Sequence, residues 1–125
     1  MHALIIEPQV FTSFMIEDAL RDAGFTSVAM AMTEEEAIAA AEADPPDLIT
    51  AAVQLQEGSG IAAVEAIRAK HDAPVLFVTQ QVADVPADGP DVTILKKPFR
   101  PTDLFQALRG VVGKARRFGG ARAPA

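Results

Sequence analysis

Residues 74–79 read Pro-Val-Leu-Phe-Val-Thr, an apolar run bounded by a proline and a threonine. A short, unbroken apolar run is typical of a strand whose two faces are both buried. Four further segments are predicted as strands for similar reasons: 3–6, 27–31, 48–53 and 92–95. Five strands of this kind predict one largely buried sheet.

The segments between the strands carry apolar residues at helical spacing. A first helix is predicted from Val10 to a stop at Gly24, because glycine commonly ends helices. Thr33 and Glu36 have the spacing of a capping box at the start of a second helix. Pro45 must end that helix, since proline cannot donate the hydrogen bond that would continue it.

A third helix is predicted around Ile61–Ile67, and a last helix opens near Pro101, where proline suits a first turn. Residues 84–90 contain two prolines and a glycine. A fourth helix between the last two strands is therefore predicted to be short or irregular. From Gly119 onward we expect a flexible basic tail, so that one domain spans residues 1–118 and the tail spans 119–125.

Strands that alternate with helices predict an α/β fold. At this length the expected form is a flavodoxin-like, doubly wound sheet of five parallel strands, with order 2-1-3-4-5 and helices on both faces. In such sheets the functional crevice lies at the carboxyl ends of strands 1 and 3. The positions to inspect at this edge are Glu7, Pro8, Gln9, Ala52 to Gln54, Thr79, Lys96, Lys97 and Pro98.

Composition excludes several classes of protein. The chain has 125 residues, half of them hydrophobic, and no cysteine, which indicates one domain in a cytoplasmic setting without disulfides. No run approaches the roughly 18 apolar residues of a membrane span, so no membrane contact is expected. Two histidines cannot by themselves build a zinc site.

The charges are distributed unevenly along the chain. Residues 1–50 carry ten acidic side chains and a single cation, Arg21, whereas cations dominate from Arg100 onward. The cations after residue 99 lack interleaved aromatic residues, so they are only a weak indication of nucleic-acid binding. We expect them to complement the negative end of the last helix, and we expect no nucleic-acid partner.

Four segments in order resemble the signatures of the response-regulator receiver domain, a CheY-like bacterial family of two-component and phosphorelay signalling. They are Pro46–Ile49, Leu55–Gly60, Pro74–Thr79 and Lys97–Phe99. The resemblance extends from Leu4 to about Val112. It implies the same fold and a role in signal transduction.

The resemblance also implies a phosphorylation site, which this chain retains only in part. In the family, an acidic pair and an acceptor aspartate hold magnesium, and a hydroxyl and a lysine bind the phosphoryl oxygens. By position Glu7 matches the first acid, Pro8 the second and Ala52 the acceptor. Thr79 and Lys97 match the hydroxyl and the lysine.

Three further positions carry expectations from the resemblance. Gln54 matches a residue whose neutral backbone carbonyl contributes to the magnesium site. Pro98 is expected to follow a cis peptide bond. Ile94 stands where the family usually has an aromatic side chain that rotates with the signalling state. We therefore expect this rotation to be absent.

The retained and missing groups together predict a degenerate site. We expect no catalytic residue and no cofactor, and magnesium binding is expected to be lost or weak, through Glu7 alone. Lys97 is predicted either to contact Glu7 or to hold its ammonium in water. Thr79 is expected to have its hydroxyl satisfied by the backbone at a strand end.

These expectations favour a stand-alone pseudo-receiver, not an enzyme, that signals by phosphorylation-independent protein binding. Its partner would be a signalling protein such as a histidine kinase or a regulator, with a homodimer as a further possibility. One alternative is a phosphorelay regulator with a non-standard or weak acceptor. A second is binding of a small ligand in the crevice between strands 1 and 3.

Overall fold

The computed structural model describes residues 1–86 and 91–122, with side chains up to residue 114. Helices and strands alternate along the chain, as the sequence predicts. Their bounds are β1 (His2–Ile6), α1 (Val10–Asp22), β2 (Ser27–Ala31), α2 (Glu34–Ala43), β3 (Leu48–Ala51), α3 (Gly60–Arg68), β4 (Val75–Thr79), a 3-10 turn (Val82–Asp84), β5 (Val92–Lys96) and α4 (Pro101–Arg122).

The five strands form one parallel sheet in the order β2-β1-β3-β4-β5, which confirms the predicted topology. Hydrogen bonds continue the sheet beyond three strand ends. Glu7 donates its backbone N–H to Ala31 O at 2.9 Å, and Ala52 donates to Ile6 O at 2.8 Å. Lys97 donates to Thr79 O at 2.9 Å. These bonds hold the backbone of the predicted site residues at one edge of the sheet.

Each face of the sheet carries its own apolar core. The side chains of Leu4, Ile49 and Phe77 pack with α2 and α3 on one face. Ile5 and Leu76 pack with α1 and α4 on the other. Successive strand residues point to opposite faces, so unbroken apolar runs supply both cores, as the sequence predicts.

Strand β3 ends at Ala51, two residues earlier than the sequence predicts. The cause is a close turn, because Val53 O accepts the N–H of Gly60 at 2.8 Å and Gln54 pairs antiparallel with Ser59. The chain therefore leaves the sheet just after Ala52.

The connection from β4 to β5 contains, in its described part, a single 3-10 turn at Val82–Asp84. This agrees with the predicted short or irregular fourth helix, although residues 87–90 of that prediction lie outside the described residues. The last helix extends past the start of the predicted tail, since α4 continues to Arg122 and includes residues 119–122; the flexibility of the tail stays a prediction. No proline stands before Pro124 to interrupt its backbone hydrogen bonds. Residues 123–125 lie outside the described part.

The start of α2 confirms one half of the predicted capping box. Thr33 Oγ1 accepts the backbone N–H of Glu36 at 3.1 Å. The Glu36 carboxylate reaches back to the backbone N–H of Met32 at 2.8 Å, one residue before the expected position. Within the described residues, no helix is both long and apolar enough to cross a membrane.

Candidate crevice at the carboxyl ends of the strands

A crevice of about 360 Å³ opens at the carboxyl edge of the sheet. Eight positions predicted from the sequence line it: Glu7, Pro8, Gln9, Ala52, Val53, Gln54, Thr79 and Lys97. Lys96, Ile94 and Pro98 do not. Ile94 packs, partly buried, against the core under α2 and α3, and Pro98 is exposed after a cis Lys97–Pro98 bond, as the resemblance implied.

Glu7 is the buried charge of this crevice, with its side chain only 1% exposed. Its Oε1 accepts from Lys97 Nζ at 3.2 Å, and its Oε2 accepts from the backbone N–H of Gln9 at 3.1 Å. Lys97 Nζ also donates to Gln9 Oε1 at 3.2 Å. Of the two arrangements predicted for Lys97, the structure contains the contact with Glu7.

Ala52 lies on the crevice floor and is 5% exposed. Its methyl side chain has no lone pair and accepts no hydrogen bond. The backbone of Ala52 packs closely against Gly60, because a Cβ added at Gly60 would lie 1.6 Å from Ala52 O. The floor of the crevice is therefore apolar and is fixed by close backbone packing.

Thr79 completes the inner part of the crevice and is 4% exposed. Its Oγ1 accepts the backbone N–H of Gln81 at 2.9 Å. Of the predicted satisfaction of the Thr79 hydroxyl by the backbone, this contact supplies the bond that the oxygen accepts.

Glutamines form most of the polar rim, a feature that was not among the predictions from the sequence. Five of the chain's six glutamines line the crevice: Gln9, Gln54, Gln56, Gln80 and Gln81. Their concentration after three different strands was a usable signal, because the carboxyl ends of parallel strands meet at one edge.

The crevice fits a magnesium ion poorly. Magnesium prefers carboxylate oxygens and water in octahedral geometry. Glu7 is the only carboxylate among the described lining residues, and both of its oxygens already accept hydrogen bonds from protein groups. Across the described residues, no group of three or more His, Cys, Asp and Glu could hold a metal ion.

Asp103 lies in the first turn of α4. Its Oδ2 accepts the backbone N–H of Arg100 at 2.9 Å, and the Arg100 guanidinium lies 3.4 Å away. These hydrogen bonds, the backbone one above all, hold the pKa of Asp103 below its ordinary value.

A family model for the response regulator receiver domain matches residues 3–109. The chain belongs to this family. The sheet order and the position of the crevice agree with that assignment, and the receiver domain is a signalling module.

Known receiver domains and regulators resemble the chain over most of its length. Transcriptional regulatory protein PdtaR of Mycobacterium tuberculosis is 29% identical over 117 residues, which cover 90% of this chain and 57% of PdtaR. The receiver domain of PhyR from Erythrobacter litoralis is 30% identical with a TM-score of 0.77, covering 94% of this chain and 90% of that one. PhyR from Brucella abortus gives a TM-score of 0.81 at 26% identity, covering 98% of this chain and 51% of its own.

The chain spans about half the length of the curated relatives that it matches, with 57% of PdtaR and 46% of YvrH from Bacillus subtilis covered. The likeness therefore concerns the receiver part of these longer regulators.

A second surface of this receiver domain is apolar and exposed. It consists of Phe11, Phe14 and Met15 on α1 with Phe105 on α4, and we call it the α1–α4 surface. Phe11 is 85% exposed, and the others are 37–51% exposed. A groove of about 460 Å³ runs between the two helices, lined by Met15, Phe105 and the carboxylates of Asp18 and Asp22. Large exposed apolar patches commonly mark sites of protein contact.

Proposed function

We propose that this receiver domain signals by binding a protein partner and does not pass through a phosphorylated state. The observation that carries the proposal is the set of contacts above Ala52. The acceptor position holds a methyl group, and Lys97, which would bind a phosphoryl oxygen, is paired with Glu7 and Gln9. Both the nucleophile and the available cation of the family site are thus missing.

The α1–α4 surface supports protein binding as the means of signalling. Phe11 exposes most of its ring to water, which is costly unless a partner covers it. The relatives suggest the kind of partner, because PdtaR is named a transcriptional regulatory protein and PhyR of Bartonella quintana an anti-anti-sigma factor. We propose a signalling protein, such as a regulator or a histidine kinase, with a second copy of this chain as the other candidate.

Phosphorylation is tested by incubating the domain with acetyl phosphate and magnesium and measuring the intact mass. We expect no added mass, because Ala52 has no group that attacks phosphorus. A stable gain of about 80 Da, one phosphoryl group, would contradict the proposal and support a phosphorelay role. Glu7 would then be the first residue to map, since it is the only carboxylate among the described lining residues.

The matched control restores the missing carboxylates. Pro8→Asp combined with Ala52→Asp should bind magnesium more tightly than the parent domain, as calorimetry would show, and should accept a phosphoryl group. If the double variant gains neither property, the crevice differs from a phosphorylatable receiver site beyond these two positions.

Partner binding is tested by a pull-down with Phe11→Glu and with Met30→Glu. Met30 is also exposed and apolar, at 42%, but it lies on the edge strand β2. We expect Phe11→Glu to lose the captured partner and Met30→Glu to keep it. Equal capture by the two variants would show that the partner does not bind at the α1–α4 surface.

A further inference from the structure

The sheet has two edge strands, β2 and β5, and of these only β2 carries no charged residue. An edge strand exposes a row of unpaired N–H and C=O groups, and proteins usually protect such an edge with charged residues or proline. Strand β5 ends at Lys96 and is followed by Lys97 and Pro98. Residues 26–33, which include β2, contain no charged residue, no proline and no glycine. The β2 edge is therefore suited to pairing with another strand.

The backbone groups that β2 directs away from the sheet belong to Val28 and Met30. Ala31 O accepts from Glu7 N at 2.9 Å, so Ala31 bonds to the β1 side. Alternate residues of a parallel strand bond to the same neighbour, so Ala29 also bonds to β1, and the two residues beside Ala29 face outward. Among the described residues, no side chain or loop bonds to these outward N–H and C=O groups.

Both ends of this edge are closed by side chains of the same chain. Arg21 Nη1 donates to Thr26 O at 3.4 Å before β2. Glu36 Oε1 accepts the backbone N–H of Met32 at 2.8 Å after β2. The free part of the edge is therefore short, and it is limited to the outward groups between these two contacts.

The free part of the edge is complementary to a second copy of itself. Val28 and Met30 lie one residue to either side of Ala29, so an antiparallel pair with a two-fold axis at Ala29 places Val28 of one copy opposite Met30 of the other. Opposed residues of this kind exchange both of their N–H···O=C bonds. Every outward group of both copies is then satisfied, and the contact is closed by the two-fold symmetry that is commonest among protein dimers.

The side chains at this edge suit the same pairing. Val28 and Met30 point to one face of the sheet, where Val28 is half-buried and Met30 is 42% exposed. Opposed across the two-fold axis, they form two apolar cross-strand pairs, which stabilise antiparallel strands. On the other face, Ala29 of one copy meets Ala29 of the second, so only methyl groups lie at the axis.

Helix α2 leaves room for this approach. The bond between Glu36 and Met32 N identifies the flank of α2 that faces the edge. Ala40 and Ala43 follow Glu36 at helical spacing on this flank, so α2 presents small side chains there. The Glu36 carboxylates of the two copies lie at opposite ends of the strand pair, because the two-fold axis reverses the direction of the second strand.

We propose that the chain forms a two-fold dimer in which β2 pairs antiparallel with β2 of a second copy, centred on Ala29. The two five-stranded sheets then form one continuous sheet. This interface contains none of the residues of the α1–α4 surface, so each copy in the dimer can still bind a signalling partner. The inference goes beyond the proposed function and does not depend on it.

Self-association is tested by analytical ultracentrifugation of the full chain over a range of concentrations. We expect a monomer–dimer equilibrium with a dissociation constant on the order of 100 μM, because so short an interface is smaller than that of a stable dimer. A domain that is still monomeric at about 1 mM would overturn the inference and leave the proposed function in place.

Variants at Met30 test the edge. Met30→Pro removes an outward N–H but no bond to β1, a position at which edge strands tolerate proline. It should weaken dimerisation at least about 10-fold, whereas Met30→Leu keeps the N–H and an apolar side chain and should stay within about 3-fold of the parent. Equal dimerisation of the two variants would contradict pairing at β2. Phe11→Glu should leave the dimer unchanged, and a monomeric Phe11→Glu variant would place the contact at the α1–α4 surface and overturn the inference.

Single cysteines test the register, because the chain has no cysteine of its own. Across the proposed axis the two Ala29 Cα atoms lie about 4.5 Å apart, which a disulfide spans. The two Met30 Cα atoms lie about 8 Å apart, which is too far. Diamide, which oxidises two thiols to a disulfide, should therefore cross-link Ala29→Cys at least about 10-fold faster than Met30→Cys, although position 30 is the more exposed. Equal rates, or a faster reaction of Met30→Cys, would overturn the proposed pairing.

Discussion

The two segments that frame the crevice are held in different ways. The β3–α3 loop, residues 52–59, is tied to distant elements, since Gln56 N donates to Met32 O at 3.1 Å and Ser59 N donates to Glu34 Oε1 at 3.0 Å. Among the described residues, residues 80–86 of the β4–β5 connection make only local hydrogen bonds, such as Asp84 N to Gln81 O at 3.1 Å. The far end of the connection is tied to other elements, since Asp91 O accepts from Val75 N at 2.9 Å and Asp91 Oδ2 accepts from Arg68 Nη2 at 3.4 Å.

We call the β3–α3 loop the fixed wall of the crevice and residues 80–86 its adaptable wall. The β3–α3 loop is held by more than one hydrogen bond to residues that are distant in the sequence. Residues 80–86 of the β4–β5 connection are held to the core chiefly by burial of one side chain, Val85, at 6% exposure. Segments with few long-range bonds open at lower free energy than the core does. We therefore expect a ligand or partner to reshape the crevice from the β4–β5 side.

The largest expected effect is that of Gly60→Ala, directly after the fixed wall at the start of α3. The new Cβ would lie 1.6 Å from Ala52 O, so backbone must move. We expect a loss of about 4 kcal/mol in the free energy of unfolding, measured by urea denaturation. Gly110→Ala is the matched control, because nothing lies within 4 Å of its Cβ, and it should gain up to about 1 kcal/mol from helix propensity. Similar values for the two variants would mean that the loop is not fixed.

Lys97→Met tests the ion pair that joins the end of β5 to the end of β1. It leaves the Glu7 carboxylate buried without its cation, which we expect to cost about 3 kcal/mol. Lys70→Met is the control, since Lys70 and Glu42 form a pair with side chains 67% and 49% exposed and its loss should cost less than about 1 kcal/mol. Thermal denaturation of both variants checks the order, and equal costs would show that burial adds nothing to the Glu7 pair.

Glu34→Ala removes the bond from the fixed wall to α2. The backbone N–H of Ser59 loses its acceptor, with an expected cost of about 1–2 kcal/mol. Glu35→Ala is the control, because both residues lie in the first turn of α2 and share its favourable interaction with the helix dipole. The difference between the two free energies of unfolding isolates the Ser59 bond, and a difference near zero would count against it.

The smallest effect is expected in the adaptable wall. Asp84 is exposed, and its side chain makes no hydrogen bond among the described residues. Asp84→Ala should change the free energy of unfolding by less than about 0.5 kcal/mol. Hydrogen exchange should also be faster at Asp84 and Val85 than at Gln56 and Gly60, and slow exchange throughout residues 82–85 would remove the distinction between the walls.

The sequence predicted the fold because its signals are local. Apolar runs mark the strands, and Pro45 and Gly24 mark helix ends without reference to distant residues. The edge that carries Glu7, Ala52 and Lys97 followed from the topology alone.

The remaining features depend on contacts between distant segments. The early end of β3 comes from the close approach of Gly60, and the role of Glu34 depends on a loop 25 residues away. The choice between a paired and a solvated Lys97 was left open, because it depends on where the Gln9 amide lies, a position set only by the folded start of α1. The rim of glutamines was visible as a composition bias but was not recognised.

The pair formed by Glu7 and Lys97 also bears on how the domain is made. Its two residues are 90 positions apart, and both strands that pair with β1, which are β2 and β3, precede β5 in the sequence. A chain emerging from the ribosome begins to order its amino-terminal part first. Glu7 is therefore synthesised long before Lys97, the cation with which it pairs. Closure of this ion pair is thus a late event, and it marks the completion of the whole domain rather than of any one segment.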